Sequence, residues 1–125
     1  MEVLNILLGA GIASIVPVLT LILNNSRWKK ERRIEHLRKK HEKLEKIYLT
    51  INEALPQAVA NNSYPSTITS LITTYGSERV KETFKDFMLD KGKDVKKGKE
   101  FIYSMSSAAN EHLLEIDRKI EDILT

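Results

Sequence analysis

Two groups of residues in this chain have side chains that could do chemistry. One is the set of three histidines, His36, His41 and His112; the other is the lysine- and glycine-bearing run DKGKDVKKGKE at 90–100. His36 and His41 are five positions apart, so on a helix they do not share a face. His41 and His112 both occupy positions of a helical seam. Two imidazoles with Glu42, Glu111 or Glu115 nearby could bind Zn²⁺ or sense pH. The plainer reading is that a seam histidine is a polar interruption that sets register. The run at 90–100 faintly resembles a phosphate loop and fails its requirements. Five residues rather than four separate Gly92 from Gly98, Glu100 rather than Ser or Thr follows Lys99, and a helix rather than a strand precedes it. It reads as a solvated helix–helix connection, with a lysine patch for an acidic partner as the sharper alternative.

Nothing else in the chain supplies a catalytic group. With no cysteine, disulfides, thiolate metal sites and cysteine nucleophiles are excluded. No serine has a convincing base, no pair of carboxylates has a recognisable context, and no glycine loop cradles a nucleotide. The expectation is a non-enzymatic protein with no catalytic residue, no cofactor, no metal ligand and no small-molecule substrate.

The elements that must position these residues are helices. Ile34, Leu37, His41, Leu44, Tyr48, Ile51 and Leu55 recur at spacings of 3, 4, 3, 4, 3, 4, an a/d seam over about three heptads. This predicts a helix over 26–55, with Pro56 marking its end. In NNSYPSTITSLITTYG, Ser63 can cap, Pro65 suits a first turn, and Ile68, Leu71, Ile72 and Tyr75 share a face. Gly76 ends that element. Ser77 caps the next, with Val80, Phe84, Phe87 and Met88 on one side and Gly92 closing it. A last helix over 96–124 repeats the heptad pattern at Ile102, Met105, Ala109, His112, Ile116, Lys119 and Ile123.

Two seams of equal length with about 40 residues between them predict an antiparallel hairpin. Aligning a on d pairs Leu37 with Ile116, His41 with His112, Leu44 with Ala109, Tyr48 with Met105 and Ile51 with Ile102. A slip by one heptad satisfies the same pattern. The segment 56–97 then forms a small helical cap whose aromatic residues Tyr64, Tyr75, Phe84 and Phe87 make a satellite core and a candidate partner surface. A parallel homodimeric coiled coil through 34–55 is the structural rival.

Ahead of the first seam lies VLNILLGAGIASIVPVLTLIL, residues 3–23, which carries no charge. As a helix it would be about 31 Å long, matching a hydrocarbon core of about 30 Å. A cleaved signal peptide would need a basic start and a small-x-small cleavage site, and neither is present. The residues that follow invert the character of the chain. From 26 to 46 there are ten Lys or Arg against four Glu, a net +6, whereas 47–125 carries a net −2. The whole-chain charge of +3 is therefore a local feature. A nucleic-acid binder would spread its basic residues over a folded face.

The positive-inside rule keeps Arg27, Lys29, Lys30, Arg32 and Arg33 on the cytoplasmic side, with Trp28 at the interface. The orientation expected is single-pass, N-terminus outside and C-terminal domain cytoplasmic, with the basic run attracted to anionic lipid. Within the span, Gly9 and Ala13, and Ala10 and Ser14, form small-xxx-small pairs that permit close helix–helix approach.

The expectation is thus an all-α chain: a transmembrane anchor at 1–25 and a cytoplasmic helical domain at 26–125. This layout resembles many small bacterial and phage membrane proteins with one N-terminal anchor and a charged helical domain, a resemblance of architecture alone. The function expected is a membrane-anchored helical interaction or adaptor protein whose partners are the lipid bilayer and either another protein or itself. The alternative is a membrane-active oligomerising effector of the holin, toxin or defence type.

Overall fold

The computed structural model describes the backbone from Glu2 to Thr125, with side chains from Leu19 onward. Every element is a helix: α1 (Glu2–Asn61), α2 (Ser66–Tyr75), α3 (Glu78–Leu89) and α4 (Val95–Leu124), and no strand occurs among the described residues. The chain divides into two compact units, Met1–His36 and Leu37–Thr125. The packing face expected at Gly9 and Ala13, and most of the apolar run 3–23, lie outside the residues whose side chains are described. Among the described residues no helix is long and apolar enough to cross a membrane.

In the unit 37–125 the first seam buries as its periodicity requires. Leu44, Tyr48, Ile51 and Leu55 of α1 are buried, and Ala58 continues the stripe by one more step. Pro56 does not end this helix; α1 runs on to Asn61. A proline inside a helix removes one hydrogen bond and costs about 3 kcal/mol. Here Pro56 lies on the exposed face, where water can take up the carbonyl it leaves without a donor. Burial of Ala58 and partial burial of Val59 favour carrying the helix past it. The true stop is Asn62, which adopts φ 49° in the left-handed region. Ser63 N–H donates to Ala58 O and Asn62 N–H to Val59 O, the paired reverse bonds of a Schellman ending.

Two further boundaries differ from expectation in detail. Ser63 is consumed by that ending, so α2 begins after Pro65, which provides no side-chain cap. Gly92 does not close α3, which stops at Leu89; Gly92 lies in the connection, where its N–H donates to Asp90 Oδ1. Ser77 does cap α3, accepting from Val80 N–H, and Asp94 caps α4, accepting from Lys97 N–H.

The core joins all four helices. Ile68 and Ile72 of α2, Val80 and Phe87 of α3, and Phe101, Met105, Ala108, Ala109 and Ile116 of α4 close against the α1 stripe. Phe87 and Phe101 stack with centroids 4.0 Å apart. Gly98 lets α4 approach α1: a Cβ there would lie 2.8 Å from Val59 Cγ1.

The helical hairpin takes the slipped register, not the one aligned first. Tyr48 meets His112 and His41 meets Asp117, so neither His41 with His112 nor Tyr48 with Met105 is a pair. Two causes are visible. Extending α1 past Pro56 moves the turn of the hairpin, bringing Val59 against Gly98. The slip also gives the Tyr48 hydroxyl an imidazole partner, where Met105 offers only a weak thioether acceptor.

Candidate functional site

Two places in the unit 37–125 collect polar side chains, and they differ in kind. The first is the node around Tyr48. Its hydroxyl lies 2.5 Å from His112 Nδ1 and accepts from Ser77 N–H at 3.3 Å, while the two rings meet edge to face at 5.7 Å. With Ser77 occupying a lone pair, the Tyr48 hydroxyl is free to donate to Nδ1 of neutral His112, which places the imidazole proton on Nε2. Burial holds the His112 pKa below its ordinary value, against the opposing pull of Glu115, and the charges of Lys40 and Lys119 act in the same direction as burial. Burial likewise raises the Tyr48 pKa, outweighing the bond from Ser77. Both groups are thus held neutral, and the node ties α1, α4 and the start of α3 together.

His41 sits apart from this node, with Nε2 3.3 Å from Asp117 Oδ1 and Nδ1 3.7 Å from Glu45 Oε2. Among the described residues no three His, Cys, Asp or Glu side chains converge on a point that could hold a metal ion. Nearby, Arg79 of α3 pairs with Glu111 of α4.

The second place is a cleft of about 760 Å³ at the end of the bundle where α1 stops and α3 turns into α4. Pro56, Val59, Phe87 and Ile102 supply apolar wall, while Tyr64, Lys91, Lys93 and Lys99 supply polar groups. Its two carboxylates are engaged locally. Asp90 accepts from Gly92 N–H at 2.8 Å and lies 3.3 Å from Lys97 Nζ; those two contacts, the backbone bond first, hold its pKa below the usual range. Asp94 is the α4 cap. Lys93 Nζ lies 5.1 Å from the Phe87 ring centroid, over its face. The Tyr64 hydroxyl is shielded from solvent and has no hydrogen-bond partner.

The residues expected to form a partner surface divide between core and cleft. Phe87 is buried and stacked on Phe101, and Phe84 lies against both Tyr64 and Phe101. Tyr75 is half-buried beneath Lys43, whose Nζ is 4.8 Å from the ring centroid. Tyr64 and Phe87 line the cleft. In the unit 1–36, Arg27, Trp28, Lys29, Lys30, Arg32 and Arg33 are exposed, with the Arg32 guanidinium 4.7 Å over the Trp28 ring. Leu19, Leu21, Ile22 and Leu23 are exposed as well.

Tyr48 was the residue that periodicity could not single out, because an a/d tyrosine looks like any other large seam residue. The available signal was its hydroxyl, which needs a partner across the seam and finds one in only one of the two registers. Compared with protein-family models, with curated proteins and with solved structures, the chain matches none.

Proposed function

We propose that this chain is a non-enzymatic, single-pass membrane protein whose residues 1–25 anchor a helical interaction domain at the cytoplasmic face. One observation carries the reading: the uncharged residues 3–26, apolar over most of their length, pass directly into a segment, 27–46, of net charge +6. An apolar run of this length suits a bilayer span, and the basic flank sets its orientation. The exposed Leu19, Leu21, Ile22 and Leu23 beside Trp28 support it, since clustered exposed apolar side chains call for a membrane or a partner. The partner-facing part is the unit Leu37–Thr125, whose role is to bind another molecule rather than transform it.

Alkaline carbonate extraction of membranes from cells producing the full-length chain tests the anchor. Protease digestion of sealed right-side-out and inside-out vesicles with a C-terminal tag tests the orientation. The expected result is retention in the pellet with the tag cleaved only in inside-out vesicles. Release of the chain into the carbonate supernatant would remove the anchor reading.

A further inference from the structure

We propose that the cleft between the end of α1 and the α3–α4 connection binds a small soluble organic anion, a carboxylate or phosphate on an aromatic or branched apolar body. This goes beyond the anchored-module reading; the site itself does not depend on it, and only the nanodisc format of the test rests on that reading, whose own failure shows first as a chain that does not enter the nanodisc. The volume of about 760 Å³ falls in the range of small-molecule sites, and such sites combine apolar walls with a few convergent polar groups. Here Val59, Phe87 and Ile102 provide the wall, and Gly98 lets α4 close tightly on Val59 behind it.

The charge arrangement selects the sign of the ligand. Asp90 and Asp94 also line the cleft, but their oxygens are committed to Gly92, to Lys97 and to the α4 cap. Lys91, Lys93 and Lys99 make no close ion pair, Lys93 acting on Asp90 only at longer range, and three lysines against two aspartates leave the lining net positive above an apolar wall. Lys93 lies over the face of Phe87 that Phe101 leaves open, which sets its ammonium at the cleft wall.

Tyr64 supplies the second argument. A buried hydroxyl without a partner costs about 1–3 kcal/mol. Tyr64 bears that cost in the cleft lining. Burial raises its pKa, so it remains a neutral donor. The hydroxyl is closed off from solvent, so an anionic ligand oxygen that displaced the cleft wall over it would give it the acceptor it lacks.

Two opposed effects of one substitution test the site. The full-length chain in nanodiscs of zwitterionic lipid is titrated with 4-phenylbutyrate and with phenyl phosphate, using saturation-transfer NMR, and with neutral 4-phenylbutanamide as control. Binding is expected for the anions and about tenfold weaker for the amide, the loss of one charged hydrogen bond. Tyr64→Phe is expected to weaken anion binding by a similar factor while leaving thermal stability equal or higher, because it deletes an unsatisfied group. Lys93→Gln with Lys99→Gln should abolish binding, and Lys85→Gln, outside the cleft, should not change it. No saturation transfer at millimolar anion would overturn the proposal. So would equal binding of anion and amide, or a Tyr64→Phe chain that binds as wild type. Loss of probe binding when anionic lipid replaces zwitterionic lipid would move the same headgroup chemistry to a membrane lipid and overturn the soluble ligand.

Discussion

The Tyr48 hydroxyl on α1 and the His112 imidazole on α4 lie 2.5 Å apart and join residues 64 positions apart in the chain. The same hydroxyl accepts from Ser77 N–H, so one phenol oxygen links three helices at a half-buried point. Replacing Tyr48 by Phe keeps the ring in the core and leaves both partners unpaired. The expected loss is about 1–3 kcal/mol of unfolding free energy, read as a lower urea midpoint at unchanged slope. An unaltered midpoint would show that the bond contributes nothing net.

His112 makes stability pH-dependent with a definite sign. Its folded pKa is lowered, mainly by burial, so the folded state binds fewer protons than the unfolded chain. The contribution is fully present above the unfolded value of about 6.5 and is lost as pH falls through the folded value. Denaturant titrations between about pH 7 and about pH 5 should show wild type losing stability faster than His112→Leu on acidification. Parallel curves for the two chains would remove His112 as the cause.

At Asn62 the prediction concerns backbone alone. Its positive φ suits asparagine and glycine and penalises any branched or alanine side chain. Asn62→Gly is expected to be neutral or slightly stabilising, and Asn62→Ala to cost about 1 kcal/mol. Thermal unfolding followed by circular dichroism separates the two, and equal melting temperatures would contradict the assignment.

Gly98 couples to Val59. An alanine Cβ at 98 would meet a stiff β-branched side chain at 2.8 Å. Overpacking costs about 1–3 kcal/mol and the gain in helix propensity returns up to about 1, so Gly98→Ala should destabilise modestly. Val59→Ala in the same chain removes the obstructing methyl groups. A double-mutant cycle should therefore show favourable coupling, and strict additivity would mean the helices do not touch there.

Helix number and helix faces were legible in the sequence, as were the ends marked by Gly76 and Ser77, but not those at Asn62, Pro65 and Asp94. The 3–4 spacing from Leu44 to Leu55 and the face Ile68, Ile72 depend on local geometry, since residues three and four apart must share a side of a helix. Ser77 as a cap was legible for the same reason, because its hydroxyl bonds a backbone group three residues on. The abrupt change from uncharged to basic at residue 26 is likewise a property of the chain alone.

What only the tertiary structure decided is how those faces meet. A heptad pattern is degenerate under a shift of seven residues, so periodicity could not choose between the two hairpin registers. Burial of Ala58 beyond Pro56, the close approach of Val59 to Gly98, and the demand of the Tyr48 hydroxyl for His112 chose one of them. The cleft belongs to the same category. Val59 and Tyr64 are near neighbours in sequence, but Lys93 is remote from both and lines the same cleft only because α1 ends at Asn61 close to where α4 begins. Local propensity sets which residues point inward; long-range packing sets which of them share a site.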